Sequence, residues 1–369
     1  MRILHVVDSG GIYGKERAIL ELMTQQAQTG LVPMLGSITR RGEEKPILRA
    51  AWERGLDGMP LVVRSPGDPW RVRGAIAERQ VDLVHTHDYK GSLILAPLRR
   101  WRVVPPLVRT LHRIFIGGFS KLRAYETLDR WVLRWHDAVV AVTADIRAQT
   151  SVDLTLIQCG ISPPANSPAG PADPDLDTAR AFCRDDLVLG AIARLSPEKN
   201  LEALLEAVAV LNRGGLLTRL IVLGEGRSRR MLEEQAQRLG IADRVWMPGF
   251  KPDVQPWFEL FHFYVQASFA EGLPISLLEA MHTGVPLLVT PVAGMKDLLA
   301  SGAAIEIPFK GPAIAEVVRA HWMEEPARAK ARAVAVAARQ LVRTTYRSER
   351  MATEYTALYR RVLAAAQPG

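Results

Sequence analysis

Two glutamates, Glu271 and Glu279, stand with seven residues between them in the stretch FAEGLPISLLEAMHTGVPLL. Pro274 suits the first turn of a helix, which sets Glu271 just ahead of that helix and Glu279 inside it. At 1.5 Å per residue, Glu279 then lies about 7.5 Å along the axis from Pro274. Each carboxylate can accept hydrogen bonds from vicinal hydroxyls, and the N–H groups at the helix start can receive an anion between them. A sugar, a diphosphate and a ribose would satisfy that order; the competing reading is a helix with two surface glutamates.

Upstream, ARLSPEKN places Arg194 and Lys199 in the loop after a strand, where two cations can face one diphosphate or simply be solvated. In LGEGRSRR, Gly224 and Gly226 precede Arg227, Arg229 and Arg230. The positive end of a helix dipole disfavours cations, so these arginines are expected to face solvent. The first strand runs into SGGIYG, Ser9 to Gly14, whose glycines let the backbone approach a ligand. Against G-x-G-x-x-G the match is Ser9, Gly11 and Gly14, without the first glycine. The second strand closes on Thr39 and two arginines rather than an acid that would hold a ribose, which argues against a nicotinamide enzyme. A plain tight turn remains the alternative. HTHD at 85–88 is the densest set of metal-ligand types, yet it reads better as a strand end, and no DxD triplet occurs. No metal site is expected.

These loops need strands to place them. RILHVVD (2–8), PMLGSIT (33–39), DLVHTH (82–87), PLVRTL (106–111) and DAVVAVT (137–143) read as strands, with helical patterns following several of them. A second series comprises DLVLGAIA (186–193), LTRLIVLG (217–224), DRVWMPG (243–249), FHFYVQA (261–267) and VPLLVT (285–290). Such alternation predicts α/β architecture: two Rossmann-like, doubly wound parallel-sheet domains facing a central cleft. The expected bounds are 1–162 for the first domain, 163–175 for a Pro-rich linker and 176–345 for the second domain. Residues 346–369 are expected to form a C-terminal helix that packs back toward the first. The tail from Arg328 to Ala366 is Ala- and Arg-rich and predicted helical throughout.

The chain of 369 residues is 48% apolar and 23% charged, which excludes a disordered protein. Two cysteines make neither a disulfide framework nor a zinc cluster, in keeping with a reducing cytosol. RILHVVD lacks the apolar core and cleavage site of a signal peptide, and no run of about 18 apolar residues could span a membrane. Charge is concentrated: between Arg99 and Arg134, nine basic residues face two acids, +7 of the chain's +8. Trp101, Ile114, Phe115, Ile116, Phe119, Tyr125, Trp131 and Trp135 are interleaved with them. Basic residues mixed with large apolar ones suit an anionic lipid surface, against the plainer reading of a solvated face beside core aromatics. Nucleic acid is not an expected partner, because no binding motif lies nearby.

Together the stretches SGGIYGKE, DLVHTHD, PLVRTLH, DAVVAVT, LIQCGI, ARLSPEKN, LIVLGEG, RVWMPGF and E-x7-E resemble those of retaining GT-B glycosyltransferases of family four, the bacterial group 1 enzymes of lipopolysaccharide, capsule and exopolysaccharide assembly. The resemblance implies transfer of a sugar from a nucleotide-diphosphate donor, a UDP-sugar by expectation, to a lipid-linked or cell-envelope glycan, without metal or other cofactor. It assigns Arg194 and Lys199 to the diphosphate, Glu271 to donor sugar hydroxyls and Glu279 to the ribose. Gly272 and Leu273 resemble the turn that contacts sugar and phosphate. Gly11 or Gly14 would approach the donor phosphate, Phe250 would lie near the nucleobase, and His112 would reach the transferred sugar. HTHD then borders an acceptor-side loop. Asn200 stands where glycine is common in the family, and Cys159 where asparagine is usual. The expected location is the cytoplasm, with a peripheral station on the inner face of the membrane through 99–134. A nucleotide-sugar 2-epimerase and a non-catalytic nucleotide-sugar-binding scaffold are the alternatives.

Overall fold

A computed structural model describes residues 1–65, 68–112, 121–147, 150, 152–163 and 173–366, with backbone alone at 121–124, 126 and 147. The chain divides into two compact units, 1–162 with 346–369, and 163–345.

The first unit holds a seven-stranded sheet of β1 (Arg2–Val7), β2 (Val32–Thr39), β3 (Asp57–Val62), β4 (Leu83–Thr86), β5 (Leu107–Leu111), β6 (Ala138–Ala141) and β7 (Thr155–Leu156). Their spatial order is β3-β2-β1-β4-β5-β6-β7, every pair parallel. The order reverses direction between β1 and β4, so the loops leaving those neighbours diverge and open a crevice at their carboxyl ends. β4 and β5 are buried along their whole length, as expected of parallel strands covered on both faces. The helix Ser348–Ala366 completes this unit's core: Met351, Tyr355, Leu358, Tyr359 and Val362 cluster with Ile3, Leu22, Leu83, Val108, Val140 and Ile157.

In the second unit, β8 (Leu187–Ile192), β9 (Thr218–Leu223), β10 (Val245–Gly249), β11 (Phe263–Gln266), β12 (Leu287–Val289) and β13 (Ile305–Glu306) form a six-stranded parallel sheet. The order is β10-β9-β8-β11-β12-β13, which puts the reversal between β8 and β11. Leu187, Leu189 and Ala191 of β8 pack with Leu204 and Val208 of the helix Leu201–Arg213 and Ile314 and Val318 of the helix Gly311–Met323.

The ten predicted strands are present, each a residue or two shorter at an end or extended by one, while β3, β7 and β13 were not anticipated. The tail is not one helix. Ala327–Thr344 and Ser348–Ala366 are separate helices, broken where Tyr346 O accepts from the Ile161 N–H (2.9 Å) and the Ser348 N–H donates to Ile161 O (3.2 Å). A short parallel bridge, Ile161 to Arg347, replaces helical bonding there. Arg229 is likewise not a solvated residue. Its guanidinium donates to Glu225 (2.7 Å), Glu233 (3.3 Å) and Met247 O (3.0 Å), local acceptors that offset the helix dipole.

Of the basic stretch 99–134, residues 113–120 lie outside the described residues. Two of the described cations do not face outward. Arg109, on β5, is 5% exposed and donates to Asp129 of the helix Lys121–Val132 (3.0 Å). Arg99 makes a two-pronged bond to Asp137 (2.7 and 2.6 Å).

Candidate functional site

Lys199 and Glu271, two of the expected site residues, meet in the second unit at the strand reversal, with Arg194 on the same loop as Lys199. β8 delivers Arg194 and Lys199, and β11 delivers Glu271 through the loop Ala267–Ala270. Glu271 Oε1 accepts from three donors: the Lys199 ammonium, Gln266 Nε2 (2.7 Å) and Ser268 Oγ (2.8 Å). All three meet one oxygen, and among the described residues Oε2 accepts no hydrogen bond. The carboxylate is thus held rigidly by one edge with its other edge presented. Arg194 is half-exposed and donates to Glu198 (3.2 Å), a carboxylate that also accepts from Ser196 Oγ (2.7 Å). Burial opposes charge on Glu198, but Ser196, its own backbone amide and the two cations hold its carboxyl below the usual range.

Behind Glu271, Pro274 precedes the helix Ile275–Thr283, which ends on Gly284 in left-handed geometry (φ 81°). Glu279 sits midway along this helix, 5% exposed and therefore no surface glutamate. Tyr264 lies beneath both carboxylates: burial, with the Glu271 and Glu279 charges adding, pushes its phenol far above the ordinary range. Its hydroxyl meets Ser276 Oγ (2.9 Å) and Gln266 Oε1 (3.1 Å).

Two backbone features position this cluster. Asn200 adopts left-handed φ/ψ (53°, 38°) at the start of the helix Leu201–Arg213, and its carboxamide donates to Ala267 O (3.1 Å) and Phe309 O (2.9 Å). A glycine would reach this conformation too, but without tying the Lys199 loop to the end of β11. Gly294 (φ 73°) lies so close to the Gly272 carbonyl that any Cβ there would overlap it, which locks the loop after β12 against the turn Gly272–Leu273. Phe250 is half-exposed at the exit of the edge strand β10, outside this cluster. Gln266 and Tyr264 went unseen in the sequence because polar residues inside an apolar strand carry no spacing signal, and Ser268 and Gly294 because they sit in loops without a pattern. Asn200 was visible as a departure from glycine.

In the first unit, Gly11 and Gly14 follow β1. Ser9 Oγ donates to Gly11 O (2.6 Å), Gly14 opens the helix Gly14–Gln28, and Glu16 accepts from the Tyr13 N–H (3.0 Å). Asp8 pairs with Lys45 (2.9 Å) and Lys90, and its N–H donates to Asp88, which also caps the helix Tyr89–Arg100 at the Gly91 N–H (3.1 Å).

His112 follows β5, partly buried, and its Nε2 meets His87 Nδ1 at 3.0 Å. His87 Nε2 meets His5 Nδ1 (3.0 Å), and His5 Nε2 meets Gln26 Oε1 (2.8 Å). His85 bonds Tyr359 OH and Thr110 Oγ1, both at 2.7 Å. Burial, first of all causes, lowers all four imidazoles: His5 to about 4, His112 to about 3, His85 and His87 well below their ordinary value. Nitrogen atoms of His5, His85 and His87 lie within 4.8 Å of one another, the spacing of a possible metal group. Their nitrogens are, however, engaged with each other and with neutral hydrogen-bonding partners. The arrangement fits a network of neutral imidazoles better than a ligand set.

The description "Glycosyl transferases group 1" matches residues 177–335, and "Glycosyl transferase 4-like domain" matches 16–152. The putative glycosyltransferase EpsD of Bacillus subtilis is 25% identical over 258 residues, 65% of this chain and 68% of that one. The lipopolysaccharide core biosynthesis mannosyltransferase LpsB of Rhizobium meliloti is 24% identical over 267 residues, 67% and 72% of the two chains. Among solved structures, Anabaena HepE in complex with UDP-glucose superposes with a TM-score of 0.83 at 18% identity, covering 98% of this chain and all of that one. Two parallel sheets of this order, the two matched halves and these relatives lead to one assignment: the chain belongs to the group 1 glycosyltransferases and has the GT-B fold.

Proposed function

We propose that this glycosyltransferase moves a sugar from a nucleotide-diphosphate donor to an acceptor hydroxyl of a cell-envelope polysaccharide or lipid-linked glycan, with retention at the anomeric carbon and without a metal ion. The observation that carries the reading is Glu271, clamped through Oε1 by Lys199, Gln266 and Ser268 so that Oε2 is offered to sugar hydroxyls. Lys199, which contacts it, and Arg194, on the same loop, stabilise charge on the diphosphate as the glycosidic bond breaks, a contribution that grows toward the transition state. Buried Glu279 takes the ribose, Gly272 and Leu273 line the phosphate turn, and Phe250 borders the base. The C1–O bond to the β-phosphate breaks, the acceptor oxygen bonds C1 on the same face, and the acceptor proton passes to the departing phosphate oxygen. No nucleophile of the protein is required. HepE structures with UDP and with UDP-glucose support a donor of this class, and LpsB, a mannosyltransferase of lipopolysaccharide core biosynthesis, supports an envelope glycan as product.

A thermal-shift screen against UDP, GDP, ADP and their sugars tests the donor, since a ligand that binds only the folded state must stabilise it. Stabilisation by none of them overturns the reading. Proton NMR of the first-formed product distinguishes retention from inversion, and undiminished turnover in EDTA checks metal independence.

For the acceptor side, the helix Lys121–Val132 exposes Tyr125, Leu128 and Trp131 on one flank, each about half-exposed, and Arg134 stacks over Trp131 at 5.0 Å. Trp101 is 67% exposed. We read this flank as a station on the anionic inner face of the cytoplasmic membrane. Among the described residues no helix is long and apolar enough to cross a membrane. Co-flotation with anionic liposomes at low salt, lost with Trp131→Ala, is the expected result; no flotation returns the flank to an ordinary solvated surface.

A further inference from the structure

The histidine run in the first unit has a direction. A neutral imidazole has one N–H and one lone pair, so in a line of neutral rings the partner at one end decides every tautomer along it. Here that end is Gln26, 0% exposed, whose Oε1 faces His5 Nε2 and whose Nε2 donates to Tyr359 OH (3.4 Å). An acceptor at that position makes His5 Nε2 the donor and leaves His5 Nδ1 a lone pair. His87 must then donate from Nε2 to His5 and accept at Nδ1. His112, in turn, must donate from Nε2 to His87 Nδ1. His5, His87 and Gln26 are fully buried, whereas His112 is the one member of the run left partly exposed.

We propose that Gln26, His5 and His87 are positioning residues that hold His112 as its Nε2–H tautomer, so that the Nδ1 lone pair is what it offers to a ligand hydroxyl. This rests on the reading of His112 as the residue that meets the transferred sugar. A hydroxyl can donate to such a nitrogen, whereas the opposite tautomer would present an N–H and select a different contact. Burial keeps the rings uncharged, which the alternation requires; the charges of Lys15 and Arg109 act on His112 in the same sense. A zinc ion on His5, His85 and His87 would have to displace bonds to His87, Gln26, Tyr359 or Thr110, and is the competing account.

Long-range ¹H–¹⁵N NMR of the histidine-labelled full chain reads the tautomers directly, with no substrate. The expected result is protonated Nε2 and bare Nδ1 at His5, His87 and His112. Protonated Nδ1 at His87 or His112, or one equivalent of zinc in the purified protein, overturns the proposal. Gln26→Met removes the acceptor and is expected to mix the tautomers. It should lower kcat about tenfold, within the range seen when outer partners of a working imidazole are lost, while KM changes little. Gln26→Glu keeps an acceptor oxygen toward His5 and should restore most of kcat. The rate is hydrolysis of whichever of UDP-glucose, GDP-mannose and ADP-glucose the wild type turns over. Unchanged kcat in Gln26→Met overturns the positioning role even if the tautomers are as expected. If the wild type turns over none of the three while the tautomers are as expected, the functional reading fails and the hydrogen-bond run stands.

Discussion

Arg194 and Lys199 come from one loop but are bound differently, and their substitutions should separate. Arg194 is half-exposed and its pairing with Glu198 is a surface ion pair, worth about 0–1 kcal/mol. Arg194→Ala should therefore leave the unfolding midpoint nearly unchanged while turnover falls by about 10²–10³, the loss typical of a missing charge stabiliser. Lys199→Ala should cost turnover similarly and also loosen Glu271, raising KM for the donor; steady-state kinetics beside thermal melts distinguishes the two. Full activity in either variant would sink the diphosphate assignment. At this scale the E-x7-E spacing was legible because it runs from the loop just ahead of one short helix into that helix, with a proline marking the start. Gln266 was not, since a strand buried on both faces hides its polar members, and Ser268 was not, since the loop after that strand carries no periodic pattern. The register that brings them under Glu271 is a tertiary fact.

Elements tell the same story about distance along the chain. Long apolar runs announced ten strands, whereas β3 contains Gly58 and Pro60 at a sheet edge and β7 and β13 are two residues each, too short for a pattern. The domain bound expected at 345/346 came without the loss of helicity there, because that break depends on Ile161, far away in sequence. Two substitutions probe contacts between elements. Gly294→Ala should force the loop after β12 off the Gly272 carbonyl and weaken donor binding without touching the ligand, measurable as a smaller thermal shift with the nucleotide. Asp129→Ala would leave Arg109 as an uncompensated buried cation. The expected destabilisation is about 3–5 kcal/mol by urea titration. A loss under about 1 kcal/mol would mean that the pair is solvated.

Over the whole molecule, acid should be felt before any carboxylate titrates. All five histidines of the first unit, His5, His85, His87, His112 and His136, are held below their ordinary value by burial. Below about pH 6.5 the unfolded chain takes up protons that the folded chain refuses. Stability is therefore full above that pH and drains as pH falls toward about 4, at about 1.4 kcal/mol per pH unit for each such proton. Urea midpoints at pH 7 and pH 5 check this, and equal midpoints would contradict neutral buried rings.

The core of the first unit is closed by Tyr355, Leu358, Tyr359 and Val362, near the end of the chain. During synthesis, everything up to Ser162 must therefore wait for its last helix while the other unit is made. At about 5–20 residues per second that delay is roughly ten to forty seconds. Through it, the apolar faces of β1, β4 and β5 stand open to chaperones and proteases. The histidine run cannot acquire Tyr359 until the ribosome has passed the whole of the second unit, so a nascent chain halted at Thr345 would carry a finished second unit attached to an unfinished first one.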